Sequence, residues 1–213
     1  MKNKKELERR AYSFEVRAEV NEDGGSAILG RPIVYDSVTD IGWFDEVIER
    51  GALDMANLND VRFLVNHDIS RIPLARSRRN NGNSTMQLMV NEYGMDIKVL
   101  LDTENNSEAR ALYSAVQRGD ISGMSFMFSV DDEEWENLES DHPTRRIKKI
   151  GSVVEVSAVT FPAYADTSIQ IDARSKEALD NARSALENAR QQNAKSPEGD
   201  SELLLLKEKL KLF

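Results

Sequence analysis

Cysteine is absent from the 213 residues, so a disulfide framework, a thiolate metal site and a cysteine nucleophile are all excluded. That suits a reducing compartment. Histidine is nearly as scarce: any mechanism that needs an imidazole must use His67 or His142. Long apolar runs are missing too. None approaches the ~20 residues of a membrane helix, and the charged start MKNKKELERR leads into no apolar signal segment. The chain therefore reads as cytoplasmic and unanchored, with no membrane partner. Basic residues are outnumbered, 28 Lys and Arg against 37 Asp and Glu, and aromatics make up 7%. Nucleic-acid backbones are held by clustered positive charge and single strands by stacked aromatics, so a nucleic-acid partner is not expected. One arginine-rich stretch, Arg71 to Arg79, reads better as a solvated turn than as a phosphate or acidic-partner site.

What is present is an ordinary globular composition, 40% hydrophobic and 31% charged, long enough for one sizeable core and an appendage. From Tyr12 to Ile171 short apolar runs alternate with period two between Gly, Asn, Asp and Pro, the pattern of strands and turns. The alternation predicts strands at Tyr12–Val20, Ser26–Tyr35, Val61–His67, Ser84–Val90, Met95–Leu101, Ser122–Val130, Arg145–Ile150 and Ser152–Thr160. Gly94 supplies a hairpin turn. So many strands predict a β-rich α+β fold built on a closed or nearly closed β-barrel, since closure removes exposed edges. Peripheral helices are predicted after a Ser107 cap, ending at Gly119, and at Ala52–Ala56.

The chain divides into a charged arm (1–11), the β-rich domain (12–171) and a helical C-terminal extension (172–213). In the extension SKEALDNARSALENARQQNAK carries a narrow stripe of Ala178, Ala182, Ala185, Leu186 and Ala189. SPEGDS breaks it, and ELLLLKEKLKLF restarts a short amphipathic helix with Leu203, Leu206 and Leu210 on one side. Such faces want a partner, either the chain's own body or a second copy through self-association.

Three residues stand out as candidates for chemistry. His67 ends VRFLVNH, sharing a face with Val61, Phe63 and Val65 at the border of core and solvent; a satisfied structural histidine would also sit there. His142 lies in the acidic, polar stretch DDEEWENLESDHPTRR and reads as solvated. In GDISGMSFMFSV, Met124, Phe126, Phe128 and Val130 take one face and leave Ser125, Met127 and Ser129 on the other, while Gly119 and Gly123 allow close backbone approach. The bland alternative is a crowded barrel corner. In GSVVEVSAVTFPAY, Val153, Glu155, Ser157 and Val159 share a face that is at least half buried. A carboxylate there needs a partner, either a histidine N–H, as in a Ser–His–acid array, or an arginine.

Four segments, GRPIVYDSVTDIGWFDEVIERGAL, FLVNHDISRIPLARS, GDISGMSFMFSV and EVSAVTFPAYADTSI, in this order, resemble the prohead protease family of tailed bacteriophages, peptidases related in fold to the herpesvirus assemblins. The resemblance covers about residues 12–171. It implies His67 as general base and Ser125 as nucleophile, with Glu155 as the expected third member. Assemblins use a second histidine in that role; this strand has none, which leaves the position open between Glu155 and His142. The implied activity is a serine endopeptidase of the acyl-enzyme type, needing no metal or cofactor. It would work inside assembling proheads in the host cytoplasm, cutting the scaffolding portion of the major capsid protein and itself. The alternative is a catalytically inactive barrel that serves as a scaffold or assembly protein.

Overall fold

The computed structural model describes residues 7–12, 16–20, 24–160 and 173–194. Alternating segments become strands β1 (Glu8–Tyr12), β2 (Val16–Val20), β3 (Ser26–Val34), β4 (Val38–Asp40), β5 (Asp45–Ile48), β6 (Arg62–Val65), β7 (Ala75–Arg76), β8 (Met86–Asn91), β9 (Gly94–Leu101), β10 (Gly123–Glu136) and β11 (Thr144–Val159). The helices are α1 (Ser107–Arg118) and α2 (Ala173–Ala194).

The strands sort into two sheets. The first runs β1-β10-β11-β5-β4, with β6 on the far side of β11 and β7 beside β6; the second runs β2-β3-β9-β8. Their inner faces and α1 enclose one core, in which Ile28, Ile33, Phe63, Met95, Ile97, Leu112, Phe126, Phe128 and Val156 are buried. The β-rich character is as expected. Closure is not found: among the described residues no ladder joins the two sheets, and β1, β4, β2 and β8 remain edges. Part of the exposed-edge problem is met by packing instead, with α1 lying against β2.

Local differences from the sequence reading have local causes. Tyr12–Val20 is not one strand, because β1 pairs with β10 in the first sheet and β2 with β3 in the second. Conversely, the runs on either side of Gly151 form the single strand β11, bent against β10 by register shifts at Met127/Phe128 and from Ser129 to Glu133. At Gly151 a Cβ would lie 1.9 Å from Asp131 Oδ1, so the glycine serves close strand approach, not a turn. Ala52–Ala56 is a series of four-residue turns around Gly51, whose φ is +87°, and not a helix. The cap of α1 is Asn106, whose side chain accepts from the N–H groups of Glu108 and Ala109, and not Ser107; Gly119 ends the helix in the left-handed conformation.

The chain start is not merely an arm. Glu8 and Arg10 are buried within β1. The extension, for its part, packs on its own body: Ala182 and Leu186 of α2 are buried against Phe44 and Trp135, Arg183 lies 5.3 Å over the Trp43 ring, and Arg190 Nε donates to the Leu138 carbonyl at 2.7 Å. Two members of the helix's apolar stripe, Ala182 and Leu186, are thus covered within the chain. The amphipathic segment 202–213 and residues 161–172 lie outside the described residues.

Candidate active site

The placement of β10 decides which of its side chains can react. Phe126 and Phe128 are fully buried in the core, and sliding the strand by one residue would expel both, at ~1.5–3 kcal/mol each. Ser125 and Met127 are therefore held on the opposite face. That face is also covered, with Ser125 only 1% exposed. Across the ladder Ser125 stands opposite Ser157 of β11, and Met127 opposite Glu155. Ser125, Ser157 and Glu155 consequently share one side of the sheet, with strands spaced by ~4.8 Å.

His67 reaches that side by a turn. In β6, Phe63 is in register with Val156 and faces the core; plain alternation would send His67 the same way. It does not go there, because Asn66 (φ +50°) and His67 (φ +59°) both adopt the left-handed conformation and re-aim the chain. Asn66 anchors this turn to the end of β11: its N–H donates to the Ala158 carbonyl at 2.9 Å, and its Oδ1 accepts from the Thr160 N–H at 2.9 Å. The His67 backbone N–H then donates to Ser157 Oγ at 3.1 Å.

In consequence His67 Nδ1 lies 2.5 Å from Glu155 Oε1, while Ser157 Oγ donates to Glu155 Oε2 at 2.6 Å. A carboxylate 1% exposed would cost several kcal/mol unpaired; here each oxygen receives a hydrogen bond. The carboxylate accepts, so Nδ1 carries the proton and Nε2 is left as the basic nitrogen. Of the two partners the sequence allowed Glu155, the structure has the histidine. Ser125 is one strand away from Ser157. Its Oγ donates to the Arg10 carbonyl of β1 at 2.7 Å, and among the described residues no hydrogen bond joins it to His67.

His142 is remote from this group. It precedes β11, whereas Glu155 lies eleven residues beyond the strand's first residue, on the order of 30 Å at the usual rise. Its Nε2 is 3.1 Å from Asp45 Oδ1, and with Asp40 the three side chains bring ligand atoms within 4.8 Å of one another on an exposed edge.

Sequence reasoning missed Ser157, although alternation had put it beside Glu155, and it missed Asn66. It also missed a buried ion cluster on the core-side face of β1 and β10. Arg10 donates to Glu46 (Nε to Oε1, 2.5 Å) and to Glu8 (2.8 Å), while Arg145 donates to Glu8 (2.6 and 2.8 Å), to Glu46 (3.0 Å) and to Glu133. Burial opposes the charge on Glu8, yet the hydrogen bonds and charges of Arg145 and Arg10 outweigh it and hold the carboxyl below its usual range. Burial likewise opposes both guanidinium charges, and the surrounding carboxylates overcome it, raising the pKa of each.

The model of the caudovirus prohead serine proteases matches residues 12–182, which include His67, Ser125, Glu155 and Ser157. The chain belongs to that family. As a prohead serine protease it is a serine peptidase by kinship, and its work lies in phage capsid maturation. No curated protein matches the chain. Among solved structures, the bacteriophage T4 capsid assembly protease gp21 is similar at 12% identity over 71% of this chain and 98% of that one, with a TM-score of 0.35. At that distance it bears on neither the details of this prohead protease's fold nor its site. Among the described residues no helix is long and apolar enough to cross a membrane.

Proposed function

We propose that the chain is an endopeptidase in which Ser125 is the nucleophile, His67 the general base and Glu155 the acid that orients it, acting on the scaffolding portion of the major capsid protein and on the protease itself. The observation that carries this reading is the contact at 2.5 Å between the half-buried His67 and the buried Glu155, on the same side of the sheet as Ser125. Glu155 keeps the proton on Nδ1 and stabilises the imidazolium once it forms. Ser125 Oγ, turned from the Arg10 carbonyl toward Nε2, gives up its proton as it attacks the scissile carbonyl. His67 passes that proton to the leaving amine, and the acyl-enzyme is released when His67 deprotonates a water. The place of action is the assembling prohead inside the host cell, and the steps require no metal or cofactor.

The rival reading, an inert fold serving assembly alone, leaves the pairing of a buried acid with a turn-strained histidine without a purpose. The test is incubation of the purified chain with its capsid precursor and mass analysis of new termini. Wild type should produce them and Ser125→Ala should not, while keeping its thermal transition. Equal cleavage by both proteins would refute the assignment, and no cleavage by either would favour the inert scaffold.

A further inference from the structure

The arginine-rich stretch that reads from sequence as a solvated turn is pinned from beneath. Ser77 is fully buried; its N–H donates to the Val61 carbonyl at 2.9 Å and its Oγ accepts from the Val61 N–H at 2.8 Å. Asn80 fixes the other end, its side-chain amide donating to the Leu88 carbonyl and its Oδ1 accepting from the Leu88 N–H, both at 2.7 Å. Between these pins Arg78 (φ +41°), Arg79 (φ +71°) and Asn80 (φ +52°) are all left-handed. Glycine takes that conformation freely and asparagine tolerates it, so a turn wanted only for its shape has no use for two arginines there. Both arginines are exposed, and among the described residues neither guanidinium donates a hydrogen bond. With Asn59, Asp60 and Arg76 they line a cavity of about 430 Å³. Asp60 is already engaged: its two oxygens accept from Arg76, Oδ2 at 2.6 Å, and Arg62 lies 3.7 Å away. Hydrogen bonding by Arg76, then the charges of Arg76, Arg62 and Arg78, hold its carboxyl below the usual range. Four arginines thus share one aspartate in a chain whose net charge is −9.

This cluster continues the face that carries the candidate active site. Arg62 is in register with Glu155 across the β11–β6 ladder, and Arg76 with Arg62 across β6–β7. Each alternates with a core residue, Phe63 or Ala75, so both lie on the side of the sheet that holds Glu155, Ser157 and Ser125. Two strand steps separate Ser125 from Arg62 and three separate it from Arg76, roughly 10 and 14 Å across the sheet at ~4.8 Å each, or about three to five extended residues. Free guanidinium forks bind carboxylates in pairs of parallel hydrogen bonds. Nucleic acid fits less well, because Asp60 stands among the arginines and, among the described residues, no aromatic lines the cavity. We propose that Arg78 and Arg79, backed by Arg76 and Arg62, form a docking site for an acidic stretch of the substrate chain lying a few residues from the scissile bond. The assignment of that chain as substrate rests on Ser125 being the nucleophile; the binding of an acidic peptide does not.

The test is to titrate the full chain, at low ionic strength, with fluorescein-labelled hexaglutamate and separately with a labelled thymidine decamer, both read by anisotropy. Arg78→Glu with Arg79→Glu should weaken hexaglutamate binding at least tenfold. Arg17→Glu with Lys98→Glu, an equal change of charge on the second sheet, should leave it within about twofold. In parallel, a capsid-precursor peptide is extended by glutamates at one end or the other. One of the two extensions should lower KM at least tenfold in wild type with little change in kcat; the gain should vanish in the arginine variant, and lysines in place of the glutamates should restore it there. No difference in hexaglutamate binding between wild type and the folded arginine variant, a KM indifferent to both extensions, or tighter binding of the decamer than of hexaglutamate would overturn the proposal and leave the nucleophile standing. Hexaglutamate bound as expected with no peptide cleaved by any form would overturn the Ser125 reading, and with it the role of the acidic chain as substrate.

Discussion

Replacing Glu155 by glutamine changes one atom in a buried group and tests the whole reading of the site. The carboxylate accepts two hydrogen bonds, from His67 Nδ1 at 2.5 Å and from Ser157 Oγ at 2.6 Å. Glutamine offers one accepting oxygen and one donating NH₂, so one of those two bonds must fail. If the NH₂ faces His67, the imidazole is forced into the other tautomer and Nε2 no longer accepts the serine proton. If it faces Ser157, that hydroxyl must turn away while still accepting from the His67 N–H at 3.1 Å. Folding should suffer by the cost of one unsatisfied buried donor, about 1–3 kcal/mol. Activity should suffer far more: an orienting acid turned into its amide lowers kcat by ~10⁴-fold, about 5.5 kcal/mol at ~1.36 kcal/mol per factor of ten. The assay is kcat and KM on a peptide from the capsid precursor, with urea unfolding measured in parallel. His142→Ala is the control and should be nearly silent. Glu155→Gln within threefold of wild-type kcat, or an inactive His142→Ala, would refute the argument.

Ser157→Ala should remove both the donor to Glu155 and the acceptor for the His67 N–H, lowering kcat by ~10–100-fold at about 1–3 kcal/mol of stability; Ser157→Thr should restore part of the rate, and an unchanged kcat in the alanine variant would deny the serine a positioning role. Leu186→Asp should detach α2 from Phe44 and Trp135 and shift tryptophan emission to the red, at about 2–4 kcal/mol for the lost apolar burial; unaltered emission would show that the helix is held by other contacts. Glu8 is held below its ordinary value of 4.5, so its contribution is present above that value and is lost as pH falls through the lowered one. Amide exchange in β1, whose charges pair with Glu46 and Arg145, should therefore quicken in acid before that in β11 does; simultaneous loss would mean that the strand is held by the general core.

Much of the candidate site was legible in the residues themselves. With two histidines an imidazole base had only two places to be, whereas serines are abundant and only their context singled out Ser125. Two phenylalanines at alternate positions determined which way Ser125 faces, because burying apolar area is a local property of a strand's pattern. Glu155 announced itself as a carboxylate between valines, which must find a partner. The strand pattern also predicted a β-rich body and the helix ending at Gly119. What tertiary structure decided is how separate segments meet. Alternation alone would turn His67 into the core; two consecutive left-handed residues, tied by Asn66 to a strand some ninety positions later, bring it to Glu155. The covering of Ser125 by β1 and the ion cluster beneath that strand join residues 8, 10, 46, 133 and 145. No periodicity in a single segment encodes such encounters, because the burial that makes these charges seek one another exists only after the sheets have assembled.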